Sequence, residues 1–491
     1  MARSSRISLP LTSLAILLAA AVAPRASASG FQLRDQSGSG QGNAYAGISA
    51  GGSDISSMFF NPATLTRFEG NRLQIGITEI MPSSKLSGGS ASRTGIPGPI
   101  SGAASTGNIA SSATLPTFYS MWSASPDLKF GLSVNVPFGL TTTYDANWAG
   151  RYQAVKSHLE TLDITPTVAY RMGKEWSIGG SFVARRAKAE LSQALDLGYA
   201  TAGYLGGLQT KDPNGNPVTV NNPGIVAPGQ EDGFVDVQGS GWAYGYKLGL
   251  LYEPSDTLHF GLGYQSAIKE TVKGSATFNT SALQAQIPAL EAAQPNQYSL
   301  GLLNGALGAL VPQTANGAAS ATVRLPSTIS LGASYDVSKT LSLAAEISDT
   351  KWSGFRELRV RFSNPGAQPD SYTTENWKDA LFVAVGATYH SDSAWTYRAG
   401  LALDKSPVPD NTRTARIPDA DRTWLSGGVS YQFNKSFGVD AGYSHLFCKD
   451  STIDQTAASD STNPQAPLRG SLSGTYKNSI DILSVQARLS F

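Results

Sequence analysis

Alternation of apolar and polar positions recurs along most of the chain. In residues 242–250, large apolar side chains share one face with Trp242. The opposite face carries small or charged residues: Ala243, Gly245, Lys247 and Gly249. A period of two residues predicts a β-strand with one apolar and one polar face. Because a lysine lies among the small residues, the polar face is predicted to border water and not lipid.

Segments of this kind recur between turn-forming residues, and their number is about 14, an even count typical of bacterial membrane barrels. The predicted strands cover residues 72–81, 114–124, 128–138, 158–171, 175–191, 240–253, 257–278, 324–337, 340–362, 378–391, 394–404, 421–433, 436–448 and 475–491. Short turns alternate with the long segments 83–112, 192–239, 279–323, 363–377, 405–420 and 449–474. Short turns at one rim and long loops at the other predict an all-β fold, a 14-stranded antiparallel transmembrane β-barrel.

The last strand supports a closed barrel. Residues 484–491 alternate in polarity and stop on the aromatic Phe491, which resembles the assembly signal of bacterial outer-membrane barrels. An ordinary edge strand of a secreted sheet is the alternative. A bare edge is a hazard that natural proteins avoid, and closing a barrel removes it.

Composition agrees with a barrel that has lipid outside and water inside. Charged residues are 15% of the chain, against about 25% in typical soluble domains. The net charge of +1 gives no indication of a nucleic-acid partner. A single cysteine, Cys448, excludes an internal disulfide framework and a cysteine-based metal site.

The N-terminal region is predicted to contain two parts. Residues 1–28 carry early arginines, a short apolar run and a final Ala-Ser-Ala, and they predict a signal peptide. A membrane anchor is the alternative. Residues 29–71 do not alternate, and we predict that they form a plug, or hatch, inside a barrel of residues 72–491. The rigid Asn61-Pro62-Ala63 and the apolar residues before it favour a packed plug over a disordered tail.

Two of the long loops are unusually apolar. Leucines and other apolar residues recur in 192–239 and in 279–323, where part of the spacing is helical. External loops should be polar unless they pack together or bind something. The pattern leaves two interpretations open: the loops only cover each other, or they form an apolar groove at the barrel mouth.

Residues for enzymatic chemistry are absent from the sequence pattern. The four histidines, His158, His259, His390 and His445, do not have the spacing of metal ligands. No nucleophile elbow or phosphate-binding loop is present. We therefore predict no enzyme activity, no catalytic or metal site and no cofactor.

Several short sequence blocks occur in order over nearly the whole chain from residue 30. They are 30–33, 42–47, Asn61-Pro62-Ala63, Pro137-Phe138-Gly139-Leu140, 148–152, 376–379, 406–410 and 417–422. Together the blocks resemble one known family, the FadL/TodX outer-membrane transporters.

The resemblance implies a barrel plugged by an N-terminal hatch in the outer membrane of a Gram-negative bacterium. It implies passive uptake of long-chain fatty acids through a loop groove, an interior pocket and a lateral exit through the wall. Uptake of aromatic hydrocarbons or alkanes by the same barrel, or a purely structural or adhesive barrel, are the alternatives. The partners expected are a hydrophobic ligand, outer-membrane lipid and lipopolysaccharide, with no nucleic acid, and the chain is expected to be monomeric.

The resemblance also implies roles for individual residues. Phe31 matches an aromatic residue that touches the interior pocket, and Asp379 and Arg422 match polar positions in the lumen. All three are expected to bind the ligand. Arg422 is expected to bind a ligand carboxylate, or alternatively to pair only with Asp379 or Asp421. Residues 137–139 are expected to form the lateral opening, because proline lacks the N–H that strand pairing needs and glycine weakens pairing.

Overall fold

The protein is described by a computed structural model that covers residues 30–363, 368–456, 463 and 465–491. The predicted signal peptide, residues 1–28, lies outside the described residues. Within them, no helix is both long and apolar enough to cross a membrane.

Strands make up most of the described chain. They are β1 (Arg72–Ser92), β2 (Ala113–Ser123), β3 (Leu128–Asn135), β4 (Gly139–Thr143), β5 (Lys156–Met172), β6 (Trp176–Asp196), β7 (Gln209–Lys211), β8 (Pro217–Thr219), β9 (Asp232–Ser255), β10 (Leu258–Gln265), β11 (Ile268–Asn279), β12 (Gly317–Leu325), β13 (Thr328–Asp336), β14 (Leu341–Thr350), β15 (Glu357–Phe362), β16 (Ser371–Thr374), β17 (Ala380–His390), β18 (Trp395–Asp404), β19 (Arg422–Gln432), β20 (Phe437–Cys448), β21 (Ser451–Gln455) and β22 (Ser471–Ser490).

Helices are short and lie outside the strands. The α-helices are α1 (Gly38–Gly42), α2 (Leu197–Gly206), α3 (Ser281–Ala292), α4 (Gln297–Leu310) and α5 (Ala466–Arg469). Single 3-10 turns are Ile48–Ala50, Ile55–Phe59, Pro62–Arg67, Val311–Thr314 and Trp352–Gly354.

The strands form a closed antiparallel barrel whose wall has 14 strands. Four wall strands each consist of two segments: β3 with β4, β10 with β11, β12 with β13, and β14 with β15. Each wall strand pairs with its neighbour in sequence, and β22 pairs with both β20 and β1. The register of this closure places Arg72 opposite Ser490 and runs to Ser92 opposite Ser471. The predicted barrel, and the predicted pairing of the last strand, are confirmed.

The two faces of the wall differ as the alternation predicts. Along β9, the side chains of Trp242, Tyr244 and Leu248 are exposed on the outer face. Lys247 is buried on the inner face, and its ammonium donates a hydrogen bond to the carbonyl oxygen of Phe59 at 2.8 Å. The lysine therefore marks the lumen, where a charge can find polar partners.

Several predicted boundaries were wrong. The segment 83–112 was predicted as a loop, but its first part belongs to β1, which extends to Ser92 because β22 pairs along its length. The segment 192–239 contains the ends of β6 and β9, whose pairing continues to Asp196 opposite Asp232. These extensions are rich in small and polar residues, so pairing with a neighbouring strand, and not alternation, determines where they end.

The N-terminal segment, defined here as residues 30–71, lies within the barrel. Helix α1 contacts β19 and β20, whereas the turn Pro62–Arg67 contacts β5, β6 and β9. The turn Ile48–Ala50 contacts β10 and β13. Because these strands come from opposite sides of the wall, the segment crosses the lumen from one side to the other.

Candidate functional site

The Asn61-Pro62-Ala63 motif fastens the N-terminal segment to the wall. The Asn61 side chain accepts a hydrogen bond from the backbone N–H of Ala63 at 3.0 Å, and its amide donates to the carbonyl oxygens of Ser49 and Leu250. The wall approaches so closely that a Cβ on Gly249 would lie 2.0 Å from Asn61 Oδ1. Proline at the first position of the turn is compatible with its fixed φ. The motif therefore acts through hydrogen bonds between the Asn61 side chain and backbone groups. Only a residue as small as Gly249 leaves room for them in the wall.

Phe31 lies at the centre of a buried aromatic cluster. Its ring centroid is 4.8 Å from that of Trp352 and 5.5 Å from that of Trp377. Phe138 and Phe355 complete the cluster at 6.1 Å and 6.2 Å, both edge-on to Phe31. Edge-to-face packing of aromatic rings is favourable beyond the area that it buries. The cluster fixes the beginning of the N-terminal segment between three separate parts of the wall.

Arg422 pairs with residues that the sequence interpretation did not name. Its Nη2 lies 2.7 Å from Asp419 Oδ1, and its Nη1 lies 3.9 Å from Asp404 Oδ2. The expected alternative partners are occupied elsewhere: Asp421 pairs with Lys449, and Asp379 pairs with Lys351. The alternative prediction, an ion pair with Asp379 or Asp421, was wrong, because Asp419, three residues before Arg422, is the partner and lines the interior cavity described below with it.

The Arg422–Asp419 pair also binds the N-terminal segment. Arg422 Nη2 donates to the carbonyl oxygen of Gly30 at 3.2 Å, and the Gly30 N–H donates to Asp419 Oδ2 at 3.1 Å. The two charged groups thus hold one residue, Gly30, through both its N–H and its carbonyl oxygen. Hydrogen bonds to charged partners are stronger than neutral ones.

Asp379 is placed apart from Arg422. Its carboxylate accepts hydrogen bonds from the Lys351 ammonium and from the backbone N–H of Ser353, each at 3.0 Å. Ser353 belongs to the turn that carries Trp352, so the hydrogen bond from Ser353 to Asp379 helps to hold this turn, and with it the aromatic cluster, in place. Asp379 does not line the interior cavity described below.

The wall is interrupted at residues 136–138, which overlap the predicted residues 137–139. Strand β3 ends at Asn135 and β4 begins at Gly139, with Val136, Pro137 and Phe138 between them. Strand β2 pairs with β3 only from Phe118 onward. At the other end of the interruption, an isolated antiparallel bridge joins Ala110 to Thr142 of β4. In the described chain, residues 112–117 have no ladder partner on this side, so a gap opens in the wall.

The N-terminal segment provides the hydrogen bonds that β2 does not. The Leu33 N–H donates to the Pro137 carbonyl at 2.9 Å, and the Gly139 N–H donates to the Phe31 carbonyl at 3.1 Å. The Gln36 amide donates to the Val136 carbonyl at 2.8 Å. Residues 136–139, which we call the bent edge, are therefore paired with the N-terminal segment inside the barrel and not with β2.

A cavity of about 480 Å³ lies beside this gap, and we call it the interior cavity. Its size is within the range of about 300–1,000 Å³ that is typical of ligand pockets. The lumen side is lined by the N-terminal segment and by Arg422 and Asp404. The lining also includes Pro116 and Leu162, which lie on outward-facing positions of β2 and β5. The cavity thus continues from the lumen to the outer face of the wall.

Charges in the N-terminal segment border the same cavity. Asp35 is buried, and burial raises its pKa to about 7 despite the opposing effect of Arg422. The Arg34 guanidinium lies 3.8 Å from the ring centroid of Phe382, and its Nη1 has no hydrogen-bond partner in the described chain. Sequence interpretation missed both residues, although they directly follow the motif block 30–33.

Outside the lumen, the two apolar loops form a second cavity. Helices α2, α3 and α4 bury a shared set of leucines: Leu197, Leu205, Leu283, Leu290, Leu303 and Leu307. A groove of about 230 Å³ remains beside them, lined by residues of both loops and by the ends of β6 and β9. We call it the loop groove. Both interpretations of the loops hold in part, since the loops cover each other and leave an apolar groove.

Comparisons with known proteins agree with this architecture. The family model described as outer membrane protein transport protein (OMPP1/FadL/TodX) matches residues 19–491. A long-chain fatty acid transport protein of Escherichia coli O6:H1 is 32% identical over 429 residues, which cover 87% of this chain and 89% of the relative.

Solved structures show the same similarity. The crystal structure of a Pseudomonas aeruginosa FadL homologue aligns with a TM-score of 0.78 at 26% identity, and covers 94% of this chain and 100% of its own. The Pseudomonas putida toluene transporter TodX aligns with a TM-score of 0.59 at 16% identity, covering 92% of this chain and 99% of its own, which indicates a shared fold.

Proposed function

The chain belongs to the OMPP1/FadL/TodX family of outer membrane transport proteins, and we propose that it carries long-chain fatty acids passively across the outer membrane. The barrel lies in that membrane. The proposed route has three stages: capture in the loop groove, transfer to the interior cavity, and lateral exit through the gap in the wall. No step of this route requires enzyme chemistry.

The observation that carries the proposal is the continuity of the interior cavity with the gap. The cavity lining contains lumen residues such as Arg422 and outward-facing residues such as Pro116. A ligand that leaves between β2 and the bent edge would enter lipid directly. An apolar chain that leaves in this way would not cross water between the interior cavity and the lipid.

The binding free energy of a long acyl chain requires a site that can open to release it. Burying one CH₂ group contributes about 0.8 kcal/mol, so roughly 16 of them contribute about 13 kcal/mol if fully dehydrated. A rigid pocket of that depth would not release its ligand. We propose that movement of residues 30–36 away from the bent edge opens the exit, since these residues provide the hydrogen bonds that close it.

The domain organisation follows from this role. We propose that residues 29–71 act as a hatch, that 72–491 form the transport barrel, and that 1–28 direct export. Asn61, Pro62 and Ala63 would be the fixed end of the hatch, whereas Gly30 and Phe31 would be its movable end. Gly249, which permits the approach of Asn61, supports the fixed end.

Three residues carry specific proposals. Phe31 and Arg422 line the interior cavity, and we propose that they contact the ligand chain and its head group respectively. Asp379 is proposed as a positioning residue, which holds the turn of Trp352 and so the aromatic cluster. Pro137, Phe138 and Gly139 are proposed to form the movable rim of the lateral opening.

A reversible disulfide tests the hatch. Gln32 and Phe138 are opposite each other in an antiparallel bridge, and the hydrogen bonds on either side make them a non-hydrogen-bonded pair. Such pairs have a Cα separation of about 4.5 Å, which a disulfide can span. We would combine Gln32→Cys with Phe138→Cys in a Cys448→Ser background.

The oxidised variant is expected to bind oleate but not to support its uptake by cells, and reduction should restore uptake. The reduced form is the matched control, because it carries the same substitutions. Equal uptake in both forms would contradict the hatch proposal.

A binding comparison tests the ligand class. The purified barrel in detergent would be titrated with oleate, toluene and a long alkane. Tighter binding of oleate supports fatty-acid uptake. Tighter binding of toluene or the alkane would leave the route unchanged but make hydrocarbon uptake the function, which is the alternative favoured by the structural likeness to a toluene transporter. Binding of none of them would leave a structural barrel.

A further inference from the structure

Arg416 is a buried guanidinium at the floor of the loop groove. Only 7% of the residue is exposed, and it lies in the segment between β18 and β19. Nη1 donates to Ser157 Oγ at 3.2 Å and to the Lys156 carbonyl at 3.1 Å, and Nη2 donates to Gln193 Oε1 at 2.7 Å. These partners are all neutral acceptors. In the described chain, Arg416 forms no ion pair with an acidic side chain.

A second arginine lies at the same end of the groove. Arg469 lines the groove together with Arg416, and it donates hydrogen bonds to Thr373 Oγ1 at 2.9 Å and to the Tyr372 carbonyl at 2.9 Å. Burial and the charge of Arg469 lower the pKa of Arg416 to about 10, so Arg416 stays charged at neutral pH. The two arginines line one apolar groove and repel each other, and the Glu375 carboxylate offsets only part of that effect. An anion bound in the groove would offset more of it.

The position of Arg416 relates the two cavities. Its side chain lines the loop groove, whereas the next residue, Ile417, lines the interior cavity. Its carbonyl accepts a hydrogen bond from Thr142, which also lines the interior cavity. A charged group bound at Arg416 would therefore lie at the boundary between the two sites.

We propose that Arg416, with Arg469, forms a carboxylate-binding site at the inner end of the loop groove, so that an anionic single-chain amphiphile docks with its head toward the lumen. The chain then lies along Leu283, Ile287 and Leu307, which line the rest of the groove. Arginine suits this role because its planar donors match a carboxylate. This inference rests on the proposed capture in the groove and adds its ligand chemistry and its direction of entry.

A reporter in the groove separates this site from the interior cavity. Gln284 lines the groove on exposed helix α3 and can carry an environment-sensitive fluorophore as Gln284→Cys in a Cys448→Ser background. Oleate and its methyl ester have the same chain and differ in charge. We expect oleate to bind at the reporter about tenfold more tightly than the ester, as a charge-assisted hydrogen bond would give.

Two substitutions test whether Arg416 causes the preference for oleate over its methyl ester. Arg416→Gln should reduce oleate affinity to that of the ester and leave ester affinity unchanged. Arg361→Gln is the matched control, because Arg361 lies on β15 between two groove-lining residues but its side chain is 69% exposed. The control should keep the full preference.

Each outcome is informative. Equal binding of oleate and ester to the wild-type groove, or an oleate preference that survives Arg416→Gln, would overturn the inference and leave capture in the groove intact. Absence of a response to either ligand would instead contradict capture. If Arg416→Gln does not fold, Arg469→Gln takes its place: a loss of oleate preference supports the site, and an unchanged preference overturns it.

Discussion

The interior cavity and the loop groove both combine apolar walls with an arginine, partly buried in the cavity and buried in the groove, but they differ in how that arginine is neutralised. Arg422 in the interior cavity has Asp419 at 2.7 Å and Asp404 at 3.9 Å. Arg416 in the groove has only neutral acceptors in the described chain. A paired cation stabilises structure, whereas an unpaired one is available to an anionic ligand. We therefore expect the Arg422 charge both to anchor the N-terminal segment and to meet a ligand head group, whereas the Arg416 charge would serve recognition alone.

The largest effect is expected from a substitution that removes the aromatic packing around Phe31, which holds the start of the N-terminal segment. Phe31→Ala should remove about 3–5 kcal/mol from the packing of the N-terminal segment, because Phe31 contacts four other aromatic rings. A spin label at Gln32→Cys should become mobile, while binding at the groove reporter stays unchanged. Phe31→Leu, which keeps an apolar side chain, is the control and should give an intermediate mobility. An immobile label in Phe31→Ala would contradict the claim that Phe31 holds the N-terminal segment in place.

The matching change in the groove is Leu303→Ala. Leu303 is fully buried between the loop helices, and its truncation should cost about 2–5 kcal/mol of loop packing. Oleate and its methyl ester should both lose affinity at the groove reporter, while the barrel keeps its heat-modifiable migration in gels. Tyr298→Ala, on the same helix but exposed, should leave binding intact. Unchanged binding in Leu303→Ala would mean that the loops do not form the capture site.

Removal of the Arg422 charge in the interior cavity has a smaller expected effect. Arg422→Gln removes the ion-pair partner of Asp419, which keeps its hydrogen bonds from Gly30 and Ser406. It also weakens the hold on Gly30, with a cost of about 1.5–3 kcal/mol for the charged hydrogen bonds. Mobility at Gln32 should increase, and oleate should lose more affinity than oleyl alcohol. If both ligands bind as before, Arg422 does not contact the head group.

The smallest expected effect concerns pH. Burial raises the pKa of Asp35 from 3.8 to about 7, so the folded segment holds this proton more tightly than the unfolded chain does. Packing of the segment should therefore be strongest below about pH 4 and weaken as the pH rises toward about 7. The spin label at Gln32 should become more mobile over that range in the wild type and not in Asp35→Asn. The same pH response in both would exclude Asp35 as its source.

The wall could be predicted from sequence because alternation is local. The side-chain period of two is visible in each strand, and Lys247 alone indicated which face borders the lumen. The plug motif and Pro137 were also visible, since proline restricts pairing wherever it occurs. The extended ends of β1 and β9 were missed because their pairing depends on a distant partner strand.

The partners of the candidate site could not be predicted in the same way. Arg422 was identified, but its pairing with Asp419 depends on how the segment between β18 and β19 folds into the lumen. Arg416 has no distinctive sequence signal, because what distinguishes it is that its hydrogen-bond acceptors in the described chain are all neutral. Such a property exists only when distant segments meet, and a linear pattern does not contain it.

The measurement that most directly tests the lateral route is uptake of oleate by cells that carry Pro116→Trp. Pro116 is exposed on the outer face at the gap, and Ile77 is its paired neighbour on the continuous side of β2. A tryptophan at 116 would obstruct the gap, whereas Ile77→Trp adds the same ring to an intact part of the wall. We predict that Pro116→Trp retains oleate binding but loses uptake, and that Ile77→Trp retains both. Normal uptake through Pro116→Trp would contradict exit through the wall.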